Sequence, residues 1–177
     1  VGPESAGANP RPAAYRRGGP ITVTDCNTIV GKLRPELFPA VFGPNGDQSL
    51  DSKTVHKQFA YLASEIEKAT GRNMSHQEIA AGFLRIAVEN MANAIKHISV
   101  QRGYDVSAYT LTCFGGAGGQ HACMVADALG MHRVYIHPLA GVLSAYGMGL
   151  ADVRTLKQAA IERRLSDPQL QSLGAVF

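Results

Sequence analysis

The sequence predicts an α/β fold with long helices and a small, mostly parallel sheet. Two stretches between residues 51 and 103 repeat apolar residues at helical spacing. Behind them, an apolar strand runs into a glycine cluster, a helix and a second apolar strand, all within about thirty residues. Strands joined through a helix in this way are parallel. With 45 % apolar residues, the 177-residue chain can also fill a core of ordinary size.

Overall charge and cysteine usage exclude several classes of protein. The formal net charge is only +3, too small for charge-driven binding to nucleic acid or to an acidic membrane surface. The three cysteines include no CxxC pair, which indicates neither a disulfide framework nor a zinc ribbon. No apolar run reaches the length of a membrane-spanning helix. We therefore expect a cytoplasmic protein with no nucleic-acid or membrane partner. Because the chain opens without Met in a turn-rich stretch, we also expect a piece of a longer polypeptide.

The first fifty residues are predicted to be mostly loop. Glycine and proline cluster over residues 1–20 and again over residues 38–49. Between these clusters, residues 21–24 predict a short strand, and residues 26–33 predict a short helix that ends before Pro35.

Two helices are predicted next. The first spans about residues 51–70, and Gly71 supplies the left-handed residue behind its end. The second begins after Ser75, which fits a capping box with Glu78, and Gly103 ends it. Apolar residues occupy more than one stripe of this second helix, so we expect it to be buried on most sides. The apolar stripe of the first helix consists of Val55, Phe59, Leu62, Ile66 and Ala69.

The second half of the chain carries the strand–helix–strand unit. Strands are predicted over residues 109–114, as a buried strand, and 133–136, on either side of a helix over residues 120–129. Residues 140–151 are rich in small side chains, which predicts a helix or turn that permits close backbone packing. The tail over residues 156–177 is predicted to be helical or flexible.

The glycine-rich loop behind the first strand carries the strongest chemical signal. Four of the five residues from Gly115 to Gly119 are glycine, and a helix follows at once. Glycine lets backbone N–H groups approach an anion without interference from a Cβ atom, and a helix start adds unpaired donors and partial positive charge. The pattern predicts a phosphate or nucleotide site beyond the end of a strand. The predicted nucleotide-binding residues are Gly115, Gly116, Gly118, Gly119, Gln120 and His121.

This loop departs from the two commonest nucleotide motifs. A P-loop needs Gly-Lys-Ser or Gly-Lys-Thr, where this chain has the residues Gly-Gly-Gln-His at 118–121. The GxGxxG fingerprint fails as well, because a count from Gly116 puts His121 at the third glycine. The strand–Gly-Gly–helix element of actin-like ATPases and sugar kinases fits best. A tight turn whose glycines serve only packing is the alternative interpretation.

Three polar residues of the second half are further candidates. His121 at the helix start is equally consistent with a ligand contact and with a polar helix-start residue. Glu89 and Asn90 interrupt an apolar helix, and buried polar groups need partners. A bond to a neighbouring loop is favoured for them over a contact with adenine.

In the first half, four charged residues are weighed in the same way. Arg16 and Arg17 beside two glycines fit an anion site, but a solvated turn is the favoured interpretation. Glu4 and Asp25 are possible acid–base or metal-linked groups, and Asp25 also fits a helix cap. No catalytic residue or nucleophile is assigned, and no metal site is predicted, since the histidines form no HExxH motif.

Three blocks of sequence carry a resemblance to a known family. They are residues 2–10, 15–20 and 22–25 (GPESAGANP, YRRGGP and TVTD), residues 87–92 (AVENMA), and residues 113–122 with 140–147 (CFGGAGGQHA and AGVLSAYG). These blocks resemble the hydantoinase A/oxoprolinase family over about residues 1–155. Arg11 and Ala14 depart from the family pattern, in which glycine and cysteine are expected at these positions.

The resemblance implies that residues 1–155 are the C-terminal part of an ATPase domain with an actin-like, ribonuclease-H-like fold. It implies ATP and Mg²⁺ as cofactors, with the Mg²⁺ ligands outside this chain, and ATP-driven opening of a cyclic amide, 5-oxo-L-proline, to L-glutamate. The implied partners are the cyclic amide and either the rest of the parent polypeptide or a hydantoinase B-type subunit. The full-length enzyme is expected to be a homo-oligomer. The family's other phosphate loop and its hydrolytic half are not in this sequence, so we expect no turnover by the chain alone.

Two other functions stay open. An N-methylhydantoinase or ketone carboxylase subunit would share the glycine loop, and so would a non-catalytic nucleotide-binding module. The long match over residues 113–122 favours the cyclic-amide hydrolase.

Overall fold

The computed structural model describes residues 4–156, Gln158 and Ala160, and its architecture in these ranges is α/β. Helices α1 to α5 span Val23–Ile29, Ser52–Thr70, His76–Val100, Ala122–Leu129 and Leu143–Leu150. Strands β1 and β2 span Leu111–Cys113 and Val134–Ile136. They pair in parallel, with Leu111 opposite Val134. The predicted α/β class, the long helices and the small parallel sheet are confirmed.

The short strand predicted over residues 21–24 is wrong, because helix α1 already begins at Val23. Thr22 is extended and caps this helix, and the Asp25 carboxylate accepts hydrogen bonds from its N–H (2.8 Å) and its hydroxyl (2.9 Å). This capping chemistry outweighs the strand preference of the β-branched residues. The helix also ends earlier than predicted, and Gly31 behind it takes the left-handed conformation with a φ of 76°.

Helix α2 ends and helix α3 begins at the predicted capping residues, whereas α3 ends at Val100, three residues before Gly103. The Asp51 carboxylate accepts a bond from the N–H of Thr54 (3.0 Å) at the start of α2, and Gly71 closes that helix in the left-handed conformation. Ser75 and Glu78 exchange both bonds of a capping box at the start of α3, at 2.8 and 3.2 Å. The capping box and the left-handed glycine are confirmed.

Helix α3 takes part in two separate hydrophobic cores. Its first half packs with α1, α2 and the N-terminal loop, and its second half packs with α4. The expectation that α3 is buried on most sides is wrong in the described structure, since Ile86 and Ile98 are about half exposed or more. The first core contains Ala14, Cys26, Ile29, Leu33, Leu50, Val55, Phe59, Ile79, Ala80 and Leu84, and the second contains Val88, Ala92, Val125, Ala126, Leu129 and Met131.

The strand–helix–strand unit has the predicted order, but its sheet is less buried than expected. Helix α4 contacts both strands. Of the residues in β1 only Cys113 is buried, whereas Phe114 directly behind the strand, Tyr135 and Ile136 are each more than half exposed. The reason is that the described sheet has only two strands and therefore buries little of its surface.

By contacts, the chain divides into a first unit over residues 1–144 and a second over residues 145–177. The described part of the second unit contains most of α5, whose residues there are exposed. The prediction for the tail over residues 156–177 falls almost wholly outside the described residues. None of the helices in the described ranges combines the length and apolar character that crossing a bilayer requires.

Candidate functional site

Two of the four loop glycines are required by the fold itself. Gly115 has a φ of 89°, a conformation that residues with a Cβ atom rarely adopt, and its N–H donates to the carbonyl of Ala140 at 2.8 Å. A Cβ atom on Gly118 would lie 2.9 Å from the Sγ atom of Cys113. These two glycines therefore have a structural role in the turn between β1 and α4.

The other two loop glycines, Gly116 and Gly119, have no such explanation. A Cβ atom on either would meet no atom within 4 Å. In the described part of the chain, the backbone N–H groups from Gly116 to Gly119 have no close hydrogen-bond acceptor, although residues 116 and 117 form a turn. Unpaired N–H groups beside open space are the arrangement that binds phosphate in other proteins. The geometry thus supports a ligand site and disfavours the alternative interpretation, a tight turn whose glycines all serve packing.

Gln120 and His121, which follow the loop, contact a buried residue of α1. The Asn27 side chain is 1 % exposed, and its Nδ2 atom donates to Oε1 of Gln120 at 2.5 Å and lies 3.3 Å from Nε2 of His121. Lys32, just behind α1, donates from Nζ to the backbone carbonyl of Gln120 at 3.0 Å. The end of the glycine loop is therefore held from the opposite side by α1 and the residues behind it.

Burial and charge together keep the His121 side chain neutral. Loss of solvent around the ring, followed by the positive charge of Lys32, lowers the pKa of His121 below its ordinary value. The Nδ1 atom of His121 and the Oδ1 atom of Asn27 are buried without a hydrogen-bond partner in the described structure.

His121 lies between two cavities of the first unit. A cavity of about 350 Å³ lies beneath the glycine loop and is lined mainly by apolar residues of α3, β1 and α4. A cleft of about 880 Å³, which we call the N-terminal cleft, lies between residues 4–7, the start of α1 and the middle of α3. Both volumes fall within the range of small-molecule sites, about 300–1,000 Å³. The residues with polar side chains that line the N-terminal cleft are Glu4, Ser5, Thr22, Thr24, Asn90 and His121.

The structure thus brings together three residues that sequence reasoning considered separately, namely Glu4, Asn90 and His121. The expectation that Glu89 and Asn90 are buried is wrong, because both are exposed. They therefore need no protein partner, and of the two only Asn90 lines the N-terminal cleft. The alternation of exposed and buried faces along α3 explains how polar residues fit into this helix.

Two other charged candidates have structural roles. Asp25 is fully buried, and besides capping α1 its carboxylate accepts from the N–H of Ala14 at 2.8 Å. Arg16 donates to the carbonyl of Ser49 at 2.6 Å and to the carboxylate of Asp51 at 3.1 Å, so it joins the N-terminal loop to the start of α2. Arg17 is exposed, as expected for a solvated turn.

The cysteines give no candidate nucleophile. Burial, followed by the negative charge of Asp25, raises the pKa of the Cys26 thiol to about 11. Cys113 is buried and Cys123 is exposed. Among the described residues, no three His, Cys, Asp or Glu side chains lie close enough together to hold a metal ion.

Sequence reasoning missed Asn27 and Lys32. Both contact residues that lie 88 to 94 positions further along the chain, so the contacts depend on how the chain folds. The one available signal was the polar Asn27 inside a short helix whose neighbours, Cys26 and Ile29, are core residues. Nothing local indicates which part of the chain such a residue contacts.

Comparison with known proteins gives matches along most of the chain. Residues 1–157 match the family model described as Hydantoinase/oxoprolinase. The 5-oxoprolinase of Saccharomyces cerevisiae is 48 % identical over 169 residues, which are 96 % of this chain and 13 % of that protein. The first curated relatives are similarly long, so this chain spans about one eighth of their length.

Two solved structures share the fold. The crystal structure of the ATP-dependent caprolactamase from Pseudomonas jessenii has a TM-score of 0.68 and 34 % identity, covering 86 % of this chain and 21 % of that one. A nucleotide-free structure of acetone carboxylase has a TM-score of 0.63 and 23 % identity, covering 79 % of this chain and 19 % of that one. At that identity the second likeness shows the fold alone.

Proposed function

The chain belongs to the hydantoinase/oxoprolinase family, and we propose on this basis that it is part of an enzyme that uses ATP to open the cyclic amide of 5-oxo-L-proline, giving L-glutamate. The identity of 48 % to a 5-oxoprolinase supports this substrate over other cyclic amides. The caprolactamase match is weaker, at 34 %. For the larger module, of which this chain supplies one part, we propose an actin-like fold.

The contribution of this chain is nucleotide binding at the glycine loop. The observation that carries this proposal is the open glycine loop, in which the N–H groups from Gly116 to Gly119 have no close acceptor and the fold does not require glycine at positions 116 and 119. Such donors bind the phosphates or the sugar of a nucleotide. The nucleotide would approach from the side of the loop that faces solvent. Gln120 and His121, held by Asn27, complete the proposed nucleotide site.

The chemistry explains why ATP is needed. A five-membered lactam resists water because its amide carbon is a poor electrophile. Transfer of the γ-phosphoryl group to the amide oxygen breaks the bond to ADP and turns that oxygen into part of a good leaving group. Water then adds to the carbon, and the ring C–N bond breaks as the nitrogen takes up a proton, which leaves an acyl phosphate. A second water hydrolyses the acyl phosphate to the carboxylate of glutamate and free phosphate. Catalysis of the phosphoryl step consists mainly of positioning and charge stabilisation, to which backbone donors of the glycine loop are suited.

The other catalytic groups are proposed to lie elsewhere in the parent enzyme, since this chain corresponds to about one eighth of its curated relatives. A second phosphate loop, Mg²⁺ ligands and a hydrolytic part or hydantoinase B-type subunit would complete the active enzyme. The 177-residue chain alone is therefore expected to show no turnover.

The test is ADP release by the full-length enzyme that contains this chain. ADP release is expected to rise on addition of 5-oxoproline and to yield one glutamate per ADP. Stimulation by a hydantoin, by caprolactam or by a ketone with bicarbonate, but not by 5-oxoproline, would assign a different substrate. Tight ATP binding without stimulation by any of these compounds would contradict the enzymatic proposal and favour a nucleotide-binding module.

A further inference from the structure

Beneath the glycine loop, one polar contact joins parts of the chain that are 93 and 94 residues apart. Asn27 of α1 places its amide nitrogen 2.5 Å from Oε1 of Gln120 and 3.3 Å from Nε2 of His121. Asn27 is 1 % exposed and does not line the N-terminal cleft, so it cannot act on a ligand directly. Whatever it contributes passes through Gln120 and His121.

The contact with the Asn27 amide nitrogen favours one position for the proton of His121. An amide nitrogen has two hydrogens and no acceptor, so Asn27 can donate to Gln120 and His121 at once. Nε2 of His121 must then carry a lone pair, and in the neutral ring the proton is on Nδ1. A charged imidazolium would place an N–H group against the N–H group of Asn27.

The surroundings of His121 disfavour the charged ring as well. Burial lowers the pKa of His121, and the ammonium group of Lys32, which donates to the neighbouring carbonyl of Gln120, acts in the same direction. The acidic residue that lines the same cleft, Glu4, forms no hydrogen bond with His121. Within the described residues, the Asn27 contact is thus the one that orients the ring.

The contact between Asn27 and His121 also leaves two polar atoms without a hydrogen-bond partner. Oδ1 of Asn27 and Nδ1 of His121 are both buried without a partner in the described structure. Buried polar atoms are usually satisfied, so each of these two atoms calls for an explanation. Leucine at position 27 would avoid one of these unsatisfied atoms, yet the chain has the amide.

We propose that Asn27 is a positioning residue of the nucleotide site, which clamps Gln120 and His121 and thereby holds the glycine loop in its binding conformation with His121 in the Nδ1–H form. The inference rests on the proposed nucleotide binding. Its physical basis is preorganisation, because a loop that is already ordered loses less conformational freedom when the nucleotide binds. Gly116 and Gly119 give the loop freedom, and the clamp at its end limits that freedom.

Asn27→Asp is the sharpest test, because it keeps size and reverses the hydrogen-bonding role. A carboxylate at position 27 accepts the proton of Nε2 and repels Oε1 of Gln120, so the His121 proton is expected to move from Nδ1 to Nε2. Asn27→Leu removes both bonds without adding charge. Asn93→Asp is the matched control, since Asn93 is an exposed asparagine of α3 outside the cleft.

The first measurement is the ¹⁵N spectrum of the 177-residue chain labelled at histidine, with the His121 signals assigned by their loss in His121→Gln. Wild type and Asn93→Asp are expected to show the proton on Nδ1, and Asn27→Asp on Nε2. A proton on Nε2 in the wild type would overturn the inference.

The second measurement uses the full-length enzyme and decides the matter even if the isolated chain gives no usable spectrum. Asn27→Asp and Asn27→Leu are expected to raise the KM for ATP about tenfold, the equivalent of one well-placed hydrogen bond, with kcat changed much less. Unchanged KM values would overturn the role of Asn27 and leave the proposed function intact. Absence of ATP binding by the wild-type enzyme would overturn the proposed function itself, whatever the state of His121.

Discussion

A Cβ atom on Gly19 would lie 1.7 Å from the backbone carbonyl oxygen of Arg11. This approach closes the N-terminal loop, in which the N–H of Ala13 also donates to the carbonyl of Pro20 at 3.1 Å. Gly19 is buried and borders the segment that Asp25 fixes to α1. Two stretches of backbone therefore meet at a distance that only glycine permits.

Gly19→Ala is expected to destabilise the protein strongly, because the clash involves backbone that cannot move aside. We expect a loss of about 3 kcal/mol or more in the free energy of unfolding, measured by urea denaturation. Gly82→Ala is the control, since a Cβ atom there meets nothing and the helix α3 gains about 0.5–1 kcal/mol. Equal stability of Gly19→Ala and the wild type would contradict the described loop.

Gly118 and Cys113 are expected to be energetically coupled. Gly118→Ala brings a methyl group 2.9 Å from the Cys113 sulfur, which should cost about 1–3 kcal/mol of stability. In a Cys113→Ala background the sulfur is gone and most of that cost should disappear. A double-mutant cycle on the free energy of unfolding measures the coupling, and simple additivity of the two changes would refute it.

Gly119→Ala is expected to weaken nucleotide binding and to leave the stability of the protein almost unchanged. The added methyl group meets no atom of the protein, so the free energy of unfolding should change by less than about 0.5 kcal/mol. The same methyl group enters the space proposed for the nucleotide, and we expect the KM for ATP in the full-length enzyme to rise about tenfold or more. An unchanged KM would place the nucleotide away from this loop.

Asp51 should make stability depend on acid pH. Burial alone would raise its pKa, but hydrogen bonds from Thr54 and the charge of Arg16 outweigh burial and hold the pKa below its ordinary value. A depressed pKa stabilises the folded state fully above the pKa of the unfolded chain, and that contribution is lost as pH falls through the folded value. Asp51→Asn is therefore expected to be less stable than the wild type near pH 7. The difference should shrink as pH falls through the lowered pKa of Asp51, as measured by urea denaturation across pH.

The sequence allowed the helices α2 and α3 to be predicted closely, because their caps are local. Asp51, Gly71, Ser75 and Glu78 each act within one turn of their own helix. The error at residues 21–24 has the opposite cause, since β-branched residues suggested a strand while Asp25, three residues beyond Thr22, fixed a helix start. Local propensity was overruled by one buried carboxylate.

The candidate site was predictable only in part, for a related reason. The glycine loop was predictable from its composition. Arg11, where the resemblance led us to expect glycine, adopts the left-handed conformation with a φ of 73°. By contrast, the contact of Asn27 with Gln120 and His121 depends on how two distant segments meet. No spacing along the chain encodes such a meeting, because it follows from the packing of α1 and α4 against α3.

Helix α3 contributes side chains to both hydrophobic cores, so the unfolding of one core is coupled to that of the other. Because both cores are built on α3, we expect both halves of the unit to unfold in a single cooperative event. Amide hydrogens along the middle of α3 would then exchange with solvent at one common slow rate, set by global opening, on the glycine-loop side and the N-terminal side alike.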